Sequence, residues 1–325
     1  EDSGIFFFTY NSILILVAFS TFGLQSLALK GFSGSNYREV SGFSYLNTSA
    51  VVGLVAASMS YWYLCNGKIP NGWFYIYLLI TSIGGLQIIS MIFQGRGRST
   101  LSLFVQNLFS NLLFSVVLYF FDFNDVSDLL TVYTLINLLI YLMSCILYRI
   151  EFKPSYQWSL KSDLINGKNF LLINVLSQVL MLGGGVVSNV NLSDVDFSIL
   201  SVCMRIAAVM NFLVVSINFV FSPYLVRLNE SDPERVGRIV LSVSLLSSFI
   251  SLIMLLLIMG YSSNILEYFG DEYVSAAGVL FILLASQITV SILGVGGQYL
   301  VLTGRERVIR NVLLVSSIFS LVISY

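Results

Sequence analysis

The sequence predicts an all-α, polytopic membrane protein, and three observations lead to this fold class. Hydrophobic residues make up 57% of the chain and charged residues only 10%, whereas soluble domains average about 45–50% and about 25%. Apolar stretches of about 20 residues recur along the chain, which is the length an α-helix needs to cross a ~30 Å hydrocarbon layer. Lysine and arginine are concentrated in every second connection between these stretches, as expected for connections on one side of a membrane.

Each apolar stretch is expected to form one transmembrane helix, which gives about ten spans. The chain begins without a methionine and ends within an apolar run, so we interpret it as a fragment that lacks its first helix and its last helices. The predicted spans, numbered in chain order, are Gly4–Leu29, Phe43–Leu64, Trp73–Phe93, Leu101–Phe121, Leu129–Tyr148, Asn169–Val190, Phe197–Phe221, Ile239–Gly260, Ala276–Leu302 and Ile309–Tyr325.

The basic residues predict the orientation of these spans. The connections that follow the odd-numbered spans hold nearly all of the 16 lysines and arginines, and the other connections hold Lys68 alone. Because lysine and arginine favour the cytoplasmic side, we expect residue 1 on the periplasmic side. The cytoplasmic set is Lys30, Arg38, Arg96, Arg98, Arg149, Lys153, Lys161, Lys168, Arg227, Arg235, Arg238, Arg305, Arg307 and Arg310.

The one long cytoplasmic connection predicts a division into two helical bundles. It covers residues 149–168 and separates an N-terminal bundle, residues 1–148, from a C-terminal bundle, residues 169–325. Two short turns, Gln94–Thr100 and Thr303–Ile309, share a Gly-Arg-x-Arg pattern and lie six predicted spans apart. A period of six spans with the same direction indicates parallel repeats related by an axis along the membrane normal.

Polar residues recur at helical spacing within several spans, where side chains at i, i+4, i+7 and i+11 share one face. Hydrogen bonds between helices would explain any single one of them, but stripes on several helices at once favour a shared hydrated cavity. The candidate substrate-binding residues from these stripes are Asn11, Gln25, Asn174, Gln178, Gln287 and Gln298.

Arg205 is the one basic residue deep within a predicted span, about 12 Å from the start of that span. A charge at membrane depth is costly and marks a substrate or ion pathway by default, although a long side chain can also extend back to the interface. A guanidinium matches the geometry of phosphate oxygens. We therefore predict that Arg205 binds a phosphate-bearing substrate.

Composition also excludes several kinds of site. The chain has no histidine, which removes histidine general bases and imidazole metal ligands. Its cysteines, Cys65, Cys145 and Cys203, are far apart and predict neither a disulfide framework nor a metal site. The sequence therefore predicts no catalytic residue, no metal and no cofactor, and it gives no indication of nucleic-acid binding.

Several segments resemble bacterial polysaccharide flippases of the Wzx type, which belong to the multidrug/oligosaccharidyl-lipid/polysaccharide exporter superfamily. The similarity extends over nearly the whole chain and depends on the order and spacing of these segments. They are EDSGIFFFTY at residues 1–10, FGLQSLALKGFS at Phe22–Ser33, FQGRGRSTLSLFVQNL at Phe93–Leu108, MRIAAVMNFLVVSINFVFSPYLVRL at Met204–Leu228, FGDEYVSAAGVLFILLASQ at Phe269–Gln287 and YLVLTGRERVIRN at Tyr299–Asn311.

This resemblance implies two six-helix bundles, as in multidrug and toxic compound extrusion proteins. It implies a flippase of the bacterial inner membrane that moves an undecaprenyl-pyrophosphate-linked oligosaccharide to the periplasmic leaflet by alternating access. The implied partners are the lipid-linked oligosaccharide, the bilayer and, as further candidates, other glycan-assembly membrane proteins. The family's cationic lumen is matched here by Arg205.

Three alternatives remain open from the sequence. A cation-coupled multidrug exporter of the same superfamily would need a membrane carboxylate, and none of the predicted spans holds one. A peptidoglycan-precursor flippase would line its cavity with more basic residues. A membrane-embedded glycan polymerase, ligase or acyltransferase would present a large exterior loop or a catalytic histidine, so we expect that the protein is not an enzyme.

Overall fold

A computed structural model describes residues 2–33, 42–64, 72–121, 123, 126–152, 159–191 and 194–324. The described residues form α-helices joined by short turns, and these ranges contain no β-strand. The all-α architecture predicted from composition and hydropathy is therefore confirmed.

The helices of the first part of the chain follow the second, third and fifth predicted spans closely, whereas the first and fourth predicted spans are each divided between two helices. A π-helical turn, Phe104–Leu108, lies between α5 and α6. The helices are α1 (Asp2–Thr21), α2 (Leu24–Ser33), α3 (Gly42–Leu64), α4 (Gly72–Gly95), α5 (Ser99–Leu103), α6 (Phe109–Phe120) and α7 (Val126–Phe152).

The second part of the chain has longer helices. A short 3₁₀ helix, Asp271–Ala276, precedes α12. The helices are α8 (Leu160–Asn191), α9 (Asp194–Ser231), α10 (Pro233–Gly260), α11 (Ser262–Glu267), α12 (Ala277–Leu302) and α13 (Glu306–Ser324).

Several helices are long and apolar enough to cross a membrane. Among the described residues there are six such helices, or up to eight if the bent pairs α1–α2 and α5–α6 each count as one span. Large apolar side chains are exposed along whole helix faces, as on α10 at Leu241, Leu245, Phe249, Leu252 and Leu256. Exposed apolar surface of this extent fits contact with lipid rather than water, so the protein is membrane-embedded. The larger count of about ten spans stays a prediction.

Two helices extend well beyond the spans predicted for them. Helix α8 begins at Leu160 rather than Asn169, and it therefore includes Asp163, which the sequence pattern placed in a cytoplasmic connection. Helix α9 continues to Ser231 and passes through Pro223 without a break. Next to this proline, the hydroxyl of Ser222 donates a 2.6 Å hydrogen bond to the carbonyl of Asn218.

The core is built separately within two compact units. One unit comprises Glu1–Val186 and Glu306–Ser324, and the other comprises Val187–Arg305 and Tyr325. Helix α13 belongs to the first unit, where the hydroxyl of Ser317 donates to the carbonyl of Leu176 on α8 at 3.2 Å. The predicted division into residues 1–148, 149–168 and 169–325 stays a prediction.

The two turns that share the Gly-Arg-x-Arg pattern have the same geometry. Gly97 and Gly304 both adopt left-handed backbone, with φ of 81° and 83°, and each ends a helix. The amide nitrogen of the next residue, Arg98 or Arg305, donates to the carbonyl five residues earlier, at 2.9 Å and 3.0 Å. This is the Schellman cap, which requires a glycine at the left-handed position. The structural match pairs Gly97 with Gly304, whereas the sequence pattern had paired Gly95 with Gly304, so the register of that comparison was wrong by two residues.

Each unit also contains a cluster of three mutually packed helices. In the first unit the bent pair α1–α2 packs on α3 and α4, and α3 packs on α4. In the second unit α9, α10 and α12 pack on one another in the same way. These are the helices that a repeat of six spans would pair, and the repeat itself stays a prediction.

Candidate functional site

The first predicted span is not one continuous helix. Phe22 and Gly23 both adopt positive φ, 48° and 72°, and α2 is bent by 51° from the end of α1. In a regular helix the N–H of Phe22 would donate to the carbonyl of Ala18, but here this bond is absent. The hydroxyl of Thr21 donates to that carbonyl instead, at 3.1 Å. A side chain therefore satisfies one of the backbone groups that the interruption leaves without a helical partner.

Helix α8 approaches the interruption more closely than a side chain would permit. A Cβ atom at Gly23 would lie 2.5 Å from both the backbone nitrogen of Leu171 and the Cβ of Phe170. A Cβ atom at Gly167 would overlap the carbonyl oxygen of Phe22. Glycine on both sides thus lets the two backbones meet, as small residues do between membrane helices.

A buried carboxylate joins the first turn of α8 to α3. Asp163 is only 6% exposed, and its Oδ2 accepts hydrogen bonds from Ser44 Oγ at 2.6 Å and Thr48 Oγ1 at 2.8 Å. Ser44 Oγ also accepts from the backbone N–H of Ser159 at 3.2 Å. We call Asp163, Ser44 and Thr48 the Asp163 cluster. Hydrogen bonds to a charged acceptor are among the stronger ones in proteins, so the cluster fixes where α8 begins against α3.

The predicted polar residues of the first unit lie on or near these elements. Asn174 and Gln178 are half-buried on α8, one turn and two turns beyond the Phe170 contact. The Nδ2 atom of Asn174 is buried and has no hydrogen-bond partner among the described residues. Gln25 is half-buried in the first turn of α2, directly after the interruption. Asn11 belongs to α1, but its side chain lies outside the described part of the chain.

Arg205 lies on the exposed face of α9 in the second unit. Ala208, Phe212 and Val220 are exposed on the same side of the helix as Arg205, at spacings that keep them on one face. Arg227 is exposed on this side as well, so the face carries two guanidinium groups along a mainly apolar surface. The assignment of Arg205 to a substrate pathway stays a prediction.

Helix α12 carries the remaining predicted residues. Ser291, at the centre of the polar stripe expected there, is wholly buried, and its hydroxyl forms a 2.6 Å hydrogen bond with that of Ser251 on α10. This part of the stripe joins two helices rather than lining a cavity. Gln287 is half-buried one turn away, and the side chain of Gln298 lies outside the described residues.

Comparison with protein-family models and with curated proteins found no match to this chain. Its function is therefore inferred from its own residues. Within the described ranges, no group of three or more cysteine, aspartate or glutamate side chains could hold a metal ion. Cys145 is half-buried and Cys203 is buried, both as free thiols, while Cys65 falls outside these ranges.

Asp163 is the functional candidate that the sequence pattern missed, because it precedes the apolar part of its helix by six residues. A signal was present, however. The polar stripe that contains Asn174 continues backwards at helical spacing through Phe170 and Gly167 to Asp163. Extending the stripe beyond the apolar span would have placed the carboxylate on the buried face of α8.

Proposed function

We propose that the protein is a flippase for a lipid-linked oligosaccharide, moving the polar head group across a bacterial inner membrane while the lipid tail remains in the bilayer. In this proposal the basic connections are cytoplasmic and residue 1 is periplasmic, as the distribution of lysine and arginine favours. The protein acts as a transporter and not as an enzyme. The resemblance of its segments to Wzx-type flippases supplies the substrate class.

The observation that carries a transport function is the interrupted helix at Phe22 and Gly23. Irregular backbone at membrane depth is tolerated only where it is buried in protein or lines a water-filled cavity. Transporters use such discontinuous helices to build their substrate sites. Here the interruption packs on α8, whose same face carries the unpartnered amide nitrogen of Asn174. An oxygen atom of a sugar or phosphate would satisfy that donor.

Arg205 has a separate role in the proposal, as the group that binds the pyrophosphate. A guanidinium offers a planar pair of donors for phosphate oxygens and stays protonated at any physiological pH. The amide groups of Gln25, Asn174, Gln178 and Gln287 are the candidates for hydrogen bonds to the sugars. Alternating access would then expose the head group first to the cytoplasm and afterwards to the periplasm.

A cation-coupled multidrug exporter is the second candidate, and Asp163 is the observation that favours it. Such exporters need a carboxylate in the membrane domain to carry the coupling ion. The sequence pattern argued against an exporter because no predicted span contains a carboxylate, whereas Asp163 is a buried carboxylate in the first turn of α8, six residues before the apolar part of that helix. The two candidates differ in the substrate that the protein moves.

Reconstitution into liposomes tests the proposal directly. With a pyrophosphate-linked oligosaccharide in one leaflet, we expect the wild-type protein to move it to the other leaflet, where an added glycosidase can cleave the sugar. Arg205→Ala should slow this movement by about 100-fold or more, because the loss of a charged hydrogen-bonding partner costs about 3 kcal/mol.

The matched control is Arg235→Ala, since Arg235 is an exposed arginine that pairs with Asp232 at 2.8 Å at the start of α10. This variant should retain wild-type flipping. Normal flipping by Arg205→Ala would remove that residue from the mechanism. Extrusion of a cationic drug without flipping of the oligosaccharide would favour the exporter.

A further inference from the structure

The Asp163 cluster combines a buried charge with contacts to two parts of the backbone. Both donors, Ser44 and Thr48, lie one turn apart on α3 and meet the same carboxylate oxygen at 2.6 Å and 2.8 Å. Through Ser44 the cluster also holds the N–H of Ser159, directly before α8. The cluster therefore fixes both the position of the first turn of α8 along α3 and its rotation about the helix axis. A purely apolar contact would restrict the rotation less, because apolar contacts are not directional.

The rotation set at Asp163 is transmitted along one face of α8. Residues 163, 167, 170 and 174 follow helical spacing, and all four lie within about 60° of one another around the helix axis at 100° per residue. Gly167 and Phe170 contact the interruption of the first span. Asn174 lies about 16 Å beyond Asp163 at 1.5 Å per residue. A helix is stiff over this distance, so a rotation at Asp163 is also a rotation at Asn174.

We propose that Asp163 is a positioning residue, which with Ser44 and Thr48 orients α8 so that the amides of Asn174 and Gln178 face the transported head group. This inference rests on the proposed transport function. The carboxylate itself does not contact the substrate. Its effect reaches the substrate through the buried donor of Asn174, which has no partner in the described part of the protein, and through Gln178 one turn further.

The first test measures the orientation of α8 without measuring transport. In a background in which Cys65, Cys145 and Cys203 are replaced by alanine, single cysteines at position 178 and at the exposed position Leu180 are labelled with a water-soluble maleimide. We expect Gln178→Cys to label at least about threefold faster than Leu180→Cys with the intact cluster. Because a rotated helix would exchange these environments, we expect the ratio to fall to about one with Asp163→Asn.

A matched acidic residue and a milder variant make this result specific. Asp128 lies in the first turn of α7 and is exposed, so Asp128→Asn should leave the labelling ratio unchanged. Thr48→Val removes one of the two donors and retains the shape of the side chain, which keeps the test valid if Asp163→Asn does not fold. An unchanged ratio in both cluster variants would overturn the inference.

The second test separates positioning from general damage by transport kinetics. With Thr48→Val we expect the substrate concentration at half-maximal flipping to rise by about tenfold, while the maximal rate stays within about twofold of the wild-type rate. This pattern is expected because misplaced amides would weaken binding of the ground state and the transition state equally. A fall in the maximal rate alone would contradict the positioning role.

The two tests also distinguish the inference from the proposed function. If the wild-type protein moves no lipid-linked oligosaccharide, the flippase proposal fails even when the labelling ratio responds to Asp163. If the wild-type protein flips its substrate while both cluster variants keep normal labelling and normal half-saturation, the positioning role fails and the flippase proposal stands.

Discussion

The leading helices of the two three-helix clusters differ in continuity. In the first unit, α1 and α2 are separated by two residues of positive φ and meet at a 51° bend. In the second unit, α9 runs without a break from Asp194 to Ser231 and even passes through Pro223. The packing partners are otherwise equivalent, because each leading helix contacts two further helices that also contact each other.

The two clusters also differ in the charge of their buried polar contacts. The first unit buries a carboxylate that accepts hydrogen bonds from two hydroxyl groups, whereas the buried contact between Ser251 and Ser291 in the second cluster joins two neutral hydroxyl groups. Charged hydrogen bonds are stronger and more directional than neutral ones. The first unit therefore combines an interrupted helix with a buried, hydrogen-bonded carboxylate, while the second unit has an uninterrupted helix on which Arg205 and Arg227 are exposed.

The largest effect on stability should come from filling the space at the interruption. Gly23→Ala would place a Cβ atom 2.5 Å from backbone atoms of α8 at a residue with φ of 72°, so we expect a loss of about 3 kcal/mol from strain and overpacking together. Thermal unfolding in detergent, followed by size-exclusion chromatography, measures the change.

Gly237→Ala is the matched control in the second unit, because a Cβ atom at that position of α10 meets nothing within 4 Å. It should be neutral or stabilising by up to about 1 kcal/mol, the helix preference of alanine over glycine. Equal stability of the two variants would mean that the contact between α8 and the bend is looser than described.

A smaller loss should follow removal of one donor from the Asp163 cluster. Thr48→Val deletes the 2.8 Å hydrogen bond to the carboxylate and should cost about 2 kcal/mol, since the acceptor is charged and buried. Thr134→Val is the control, because Thr134 is equally buried but donates only to the carbonyl of Leu130 in its own helix. A cost no greater than that of the control would show that Asp163 does not depend on this donor.

The smallest effect should come from the neutral pair of the second unit. Ser251→Ala removes the 2.6 Å contact with Ser291, but Ser291 keeps its 2.8 Å hydrogen bond to the carbonyl of Gln287. Because no buried group loses its last partner, we expect a cost of only about 0.5 kcal/mol, close to the average for such bonds in membrane proteins. A loss as large as that of Thr48→Val would remove the contrast between the two clusters.

Hydropathy and charge alone were sufficient to predict the helical class and the course of most helices. Helices α3, α4, α7, α10 and α12 lie close to their predicted spans, because each is bounded by polar or turn residues and is apolar throughout. The lipid-facing side of a helix tolerates any large apolar residue, so composition over about 20 residues is informative there.

The interruption at Phe22 and the burial of Asp163 were not predicted, and both omissions have a physical reason. A bend depends on which backbone lies beside it, and Gly23 needs its left-handed conformation because α8 occupies the adjacent space. Asp163 is flanked by Lys161 and Lys168 and therefore matches an exposed connection in composition. Only its helical spacing to Asn174 indicates that Asp163 lies on a buried face. The two hydroxyl groups of α3 that hydrogen-bond the carboxylate are known only from the structure.

If α8 lines the path of the head group, the bound substrate should protect a cysteine at position 178 from labelling. In the cysteine-free background, a pyrophosphate-linked oligosaccharide added at saturating concentration should slow maleimide labelling of Gln178→Cys by about tenfold, because a bound head group would exclude the reagent. Labelling of a cysteine at Leu172, which is exposed on another face of α8, should not change. Labelling of position 178 that proceeds at the same rate with and without the substrate, in a protein that flips it, would contradict the account.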